Sequence, residues 1–247
     1  MTTGYTGYED AAPARTRRRH PLRTVIIVVI VILGLLVALD FGARAFAQNK
    51  MASEIQQQGF PKKPSVSING FPFLTQVISR DFKNIQVSSS NITEGPLLIQ
   101  SINATMTSVH VNSSFQSGTV GHLHGTMIVT FPALSNAMTS QVGDLGSLIS
   151  SGLTLSDAGN NEVKASLNLL GGLASGTAVW KVSRTGHNNI NVQLVSSSGI
   201  GSAAAGALSD ITVPLPSLPL GMTIQSISVT PTGLVAVVTG QNVSFGS

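Results

Sequence analysis

The stretch that most constrains this chain is Val25 to Leu39, VIIVVIVILGLLVAL, fifteen residues without a polar side chain. At roughly 25 cal/mol per Å² of apolar surface, leaving it in water costs more than the whole stability of an ordinary domain. Its flanks point to lipid as the place where it is buried. Arg15, Arg17, Arg18, Arg19 and Arg23 precede it, and no basic residue follows until Arg44. That asymmetry predicts a cytoplasmic N-terminus and export of everything after the run.

A run of this kind serves as a signal peptide or as an anchor. In the first case the arginines and the apolar run lead to Ala45-Phe46-Ala47, an A-x-A cleavage site before Gln48. In the second, a helix from about Leu22 to Ala43 supplies the roughly 20 residues that cross a bilayer. The anchor is the preferred reading, because nothing after Leu39 breaks a helix. Asp40 to Gln58 continues with helix formers, and Phe41, Ala45, Gln48, Ala52 and Ile55 recur at helical spacing, with Ala47 and Met51 beside them. The expected organisation is a disordered basic cytoplasmic tail over residues 1–21, a transmembrane anchor over 22–43 and an exported domain over 44–247. The chain is then a single-pass protein of the cell membrane.

The net charge of +4 belongs mostly to the tail, since beyond Arg23 nine basic residues face eight acidic ones. It is a topology signal. A nucleic-acid footprint needs a basic face on a folded domain, and none is expected. Charged residues make up only 10% of the chain, so the polar surface must be mostly Ser, Thr, Asn and Gln. The absence of cysteine excludes disulfides, thiol nucleophiles and thiolate metal sites.

Beyond Gln58, Gly59 to Pro64 reads as a helix stop and a loop, and Ser65 to Asn69 as a strand. Gly70 to Leu74 is an apolar turn, and Thr75 to Ser79 a single helical turn. From Asp81 the pattern is period two. Ile85 and Val87 alternate with Asn84, Gln86 and Ser88, and Val163, Ala165, Leu167 and Leu169 with Lys164, Ser166 and Asn168. Val109 and Val111 fall on the opposite parity from Ile102, Ala104 and Met106, which predicts a bulge or bend at Thr107-Ser108. Strands apolar on one side and polar on the other form an antiparallel sheet with one wet face. Two segments can cover the other face: the helix after the apolar run, and Ala133 to Ser151, with its stripe of Leu134, Met138, Val142, Leu145 and Ile149. The fold class is therefore α+β, a curved antiparallel sheet wrapped around one or two helices. Ser196 to Gly206 reads as a loop, and the prolines of Ile211 to Leu220 predict an edge or crossing segment.

Catalytic patterns are lacking. His122-x-His124 puts two imidazoles on one strand face, but no further ligand pattern completes a metal site. Gly199 to Gly206 lacks the spacing of a phosphate loop, no nucleophile elbow occurs, and the carboxylates are scattered. We expect no catalytic residues, no metal and no cofactor. The apolar cluster Phe71, Phe73 and Leu74 is either a core corner or the mouth of a groove that touches membrane. Pro72 stiffens it, and Arg80 and Lys83 downstream are candidates for a lipid head group.

The run from Val66 to Val87, with its Gly70-Phe-Pro-Phe-Leu-Thr-Gln76 block, resembles the signature of the LmeA-like phospholipid-binding proteins of actinobacterial cell envelopes. So do Val213 to Gly221, Val229 to Val235 and Thr239-Gly240. The resemblance spans about Leu22 to Val243. It implies a tubular-lipid-binding-like fold with an apolar groove for acyl chains, phospholipid as the partner, and a role in envelope lipid or lipoglycan homeostasis of the lipomannan type. It names no catalytic group and no protein partner. The alternative is a structural or interaction domain tethered at the membrane, with a filled core and no groove.

Overall fold

The computed structural model describes residues 21–57, 61–94, 97–141, 153–169, 174–185, 189–199, 210–214 and 223–246. The expected tail, the second half of the helical stripe at 142–151 and most of the small-residue loop lie outside them. The chain divides into two compact units, one ending at Leu39 and one running from Asp40 to Ser247.

A single helix, α1 (Pro21–Gln57), runs across that boundary. Its first residue is proline, which suits a helix start because the missing N–H has no partner to lose there. From Val25 to Leu39 the side chains are open on all sides, with Ile30 62% and Leu39 63% exposed. By length and composition the helix from Val25 to Gln57 is long and apolar enough to cross a membrane. In the second unit α1 becomes one-sided. Ala43, Ala47, Met51, Ala52 and Ile55 pack against strands, while Phe41, Ala45 and Phe46 stay exposed. The covered stripe thus follows the Ala47–Met51 flank, where small side chains let the helix approach the sheet.

Six strands form the first sheet: β1 (Ser65–Asn69), β2 (Asp81–Glu94), β3 (Leu97–Val111), β4 (Gly118–Thr130), β10 (Thr223–Thr230) and β11 (Gly233–Phe245). Their order is β1-β2-β3-β4-β11-β10, antiparallel throughout. The register explains the alternation seen in the sequence. Ile68, Ile85, Met106, Leu123 and Gly240 stand in line across five strands, and the next line is Asn69, Asn84, Thr107, His122 and Gln241. Paired residues share a face, so one face is apolar and the other polar. At Ser108 the parity changes. Its φ is 54° and it drops out of both ladders, yet the register on either side is the same. It is a bend, since a bulge would have shifted the register.

The apolar face has three covers. The C-terminal part of α1 lies over Ile68, Ile85 and Leu123. Helix α3 (Phe131–Gln141) contributes Ala133 and Leu134 to a cluster with Ile92, Ile99 and Val129. The third cover is a second sheet of β5 (Leu153–Gly159), β6 (Glu162–Leu169), β7 (Ala174–Thr185), β8 (Asn189–Ser198) and β9 (Asp210–Pro214), in sequential antiparallel order. Its Val163 and Val182 meet Phe131, Ile224 and Ile227. Asn161 pins the two sheets together. Its Nδ2 donates to the carbonyls of Val182 and Ile227, and its Oδ1 accepts from the N–H of Val229 at 2.6 Å. The proline-limited strand β9 sits at the edge of its sheet, where a missing N–H costs no ladder bond.

Candidate functional site

The corner between β1 and β2 is built by α2 (Phe73–Ser79). Gly70 enters it at φ 112°, and a Cβ there would lie 2.7 Å from Nε2 of Gln76, so only glycine fits. The Phe71–Pro72 peptide is cis. The cap on α2 comes from α1. Asp40, 3% exposed, accepts the N–H of Phe73 at 2.9 Å and that of Leu74 at 2.7 Å. A carboxylate suits this place because the first amides of a helix lack partners and point outward.

The corner has two sides. Phe73 is buried, its ring 6.3 Å from that of Phe82, and Leu74 is half-buried against the same cluster. Phe71 points away from that cluster, 62% exposed, and stacks on Phe41 at 6.3 Å; Ile78 is 81% exposed. Arg80 closes α2 in the left-handed conformation, its N–H bonding to the carbonyls of Gln76 and Val77. The side chains of Arg80 and Lys83 are exposed, and the backbone N–H of Lys83 donates to Oε1 of Gln76 at 3.1 Å. Of the five residues singled out in the sequence, Phe73 and Leu74 therefore join the core, and Phe71, Arg80 and Lys83 face solvent.

The apolar face of the six-stranded sheet contains a second feature. One line reads Val66, Val87, Ala104, Gly125, Val238 and Ile224, and its neighbour Ser89, Ile102, Met127, Ala236 and Ile227. The ends of these lines, Val66, Ile224 and Ile227, are buried. In the middle Val87, Ala104, Ile102 and Met127 are only half-buried, although they lie on the inner face. The three covers meet around this strip, whose centre carries the two smallest side chains. Val238 leans over Gly125, where an added Cβ would come within 2.7 Å of its methyl group.

At the β1 edge, two open hollows share Lys63 and Ser65. One, of about 290 Å³, lies against Gln48, Asn49 and Ala52 of α1, and the other, of about 350 Å³, against Ser88, Ser90, Ser101 and Asn103. Among the described residues no three His, Asp or Glu side chains cluster as metal ligands. His122 and His124 are exposed on the polar face, and His110 stands 3.6 Å from Asp81 with both side chains open to solvent.

Sequence reasoning missed Asp40 as a cap and the strip as a line. A lone aspartate after an apolar run carries no local sign of a partner 33 residues on. Ala104, Gly125 and Val238 are united only by register. The sequence model of one family, described as LmeA-like phospholipid-binding, matches residues 38–239. Comparison with curated proteins and with solved structures gives no match.

Proposed function

The chain belongs to the LmeA-like phospholipid-binding family, and on that premise we propose that it holds phospholipid with the acyl chains along the inner strip of the six-stranded sheet. The observation that carries this reading is the strip itself. Inner-face residues without full protein cover present apolar wall that an acyl chain can take from water. The protein is then an exported domain (44–247) on a single N-terminal span (22–43), with residues 1–21 in the cytoplasm, and it supports envelope lipid or lipoglycan homeostasis of the lipomannan type. It binds and does not react, and it needs no cofactor. Membrane and phospholipid are its partners, and nucleic acid is not. Phe71, with Phe41 and Ile78, supplies membrane contact, and Arg80 and Lys83 stand beside it for lipid phosphates. Phe73 and Leu74 support the wall from inside. The second reading, a tethered structural domain, draws on the closed packing of those two residues.

The test is native mass spectrometry of the full chain, extracted from its host envelope in non-ionic detergent. One phospholipid per chain is expected, lost in Ala104→Phe at unchanged circular dichroism. A bare protein mass, with no uptake from phosphatidylglycerol vesicles, refutes the carrier and leaves the tethered domain.

A further inference from the structure

We propose that a bound lipid lies across the strands in one direction, its acyl ester at Ser89 and its chain running toward Ile227, with the Ser89 hydroxyl donating to the ester carbonyl. This rests on the carrier reading and adds which end of the strip takes the polar end of the chain. The second line of the strip runs Ser89, Ile102, Met127, Ala236 and Ile227, one residue on each of five adjacent strands. Strands stand about 4.8 Å apart, so the line is about 19 Å long. One leaflet of a bilayer core, half of about 30 Å, is the length of a single acyl chain. The line therefore offers one whole chain a continuous wall.

The two ends of the line differ. Ile227 is buried and packs with Phe131, Val163 and Val182, so the second sheet and the start of α3 close that end. At the other end the pairing of β1 with β2 stops at Ser65–Ser88, and no β1 partner stands beside Ser89. Ser89 is the one polar side chain of the line. The residue is half-buried, but its Oγ is shielded from water and has no hydrogen-bond partner among the described residues. A buried hydroxyl left unpaired is destabilising unless something arrives to pair with it. A bridging water needs two or more polar partners, whereas Ser89 is followed along the line by Ile102 and Met127. An ester carbonyl needs only one partner, and it accepts from a hydroxyl without carrying a charge into an apolar wall. The line holds no cation, so a neutral acyl ester fits it better than an ionised fatty acid.

The experiment is native mass spectrometry of the full chain in lipid-free, non-ionic detergent, with dipalmitoyl phosphatidylglycerol and its dihexadecyl ether analogue offered in equal amounts. Wild type should take the diester over the diether by about tenfold, the worth of one buried hydrogen bond. Ser89→Ala should take both alike, and Ser89→Thr should keep the preference. Ala236→Phe, or Ala236→Met where the first loses its circular dichroism, fills the closed end and shortens the line by one strand spacing, about 4.8 Å. That variant should favour didecanoyl over dipalmitoyl phosphatidylglycerol, the reverse of wild type. Equal uptake of diester and diether by wild type, or a preference that survives Ser89→Ala, overturns the ester contact and leaves the carrier standing. An unchanged chain-length order in the Ala236 variant overturns the direction of the chain. Uptake of neither lipid by wild type refutes the carrier itself.

Discussion

Replacing Asp40 tests whether the helix that carries the apolar run also holds the corner of the folded unit. Its carboxylate is 3% exposed and accepts two backbone N–H groups, from Phe73 and Leu74. Each charge-assisted bond is worth about 1.5–3 kcal/mol, and its loss leaves the donor without a partner. Asp40→Ala removes both, so about 3–6 kcal/mol should disappear, a large share of a typical 5–15 kcal/mol. Asp40→Asn keeps one oxygen to accept one N–H and turns its amide toward the other, so about half that loss is expected. In a domain of about 200 residues, 3 kcal/mol corresponds to a fall in Tm of about 6–12 °C. Trp180, the single tryptophan, reports melting of the full chain in detergent. Hydrogen exchange over residues 73–80 separates local fraying of α2 from global loss, because local opening raises exchange there alone. Unchanged protection of α2 in Asp40→Ala, with Tm within about 1 °C of wild type, would refute the cap, since a difference that small is well under 1 kcal/mol.

Three further outcomes are expected. Asn161→Gly keeps the left-handed backbone at that turn but removes three side-chain bonds, two of them between the sheets and one to Val182 within the second sheet, and should cost about 2–4 kcal/mol in thermal unfolding. Gly125→Ala drives a methyl against Val238 and should cost about 1–3 kcal/mol; adding Val238→Ala should restore part of it, a coupling that a double-mutant cycle measures. Arg80→Gly relieves a left-handed arginine and should leave stability equal or raise it by up to about 1 kcal/mol, so any loss of vesicle binding in that variant reports the side chain.

The parts of the fold that were legible in the sequence are those governed by neighbours along the chain. Ser65 to Asn69 alternates, and β1 has those bounds. The Ser, Thr, Asn and Gln positions became one polar face because a period of two leaves no other place for them. Ser108 betrayed itself by a change of parity. Partners chosen across long separations were not legible. Nothing in Leu234 to Val238 says that it pairs with Gly125 to Val129, and nothing in the strand pattern separates one sheet from two. The division follows from the cluster of Phe131, Val163, Val182, Ile224 and Ile227, whose members span nearly a hundred positions. At the corner, the sequence marked Phe71, Phe73 and Leu74 as a unit. Solvent separates them by direction, because α2 begins at Phe73 and turns Phe71 away from the face it buries.

The Asp40 contact also bears on the choice between anchor and signal peptide. A chain cut after Ala47 would begin at Gln48 and lose Asp40, and with it both acceptors that cap α2. It would also lose Ala43 and Ala47 from the helix stripe packed on the sheet, and Arg44, whose guanidinium donates to Oδ1 of Asn69 at 3.3 Å. A cleavable leader has no reason to carry contacts that the mature fold needs, whereas an uncleaved helix places them in the chain for its lifetime. The same contacts make the helix after Leu39 part of the domain, so an expression product that starts at Gln48 should be less stable than the full chain by at least the loss in Asp40→Ala. These contacts favour the anchor proposed above over a cleaved leader. The stability of the shortened chain is the measurement that decides it: equal stability of the two products would return the run to a signal peptide.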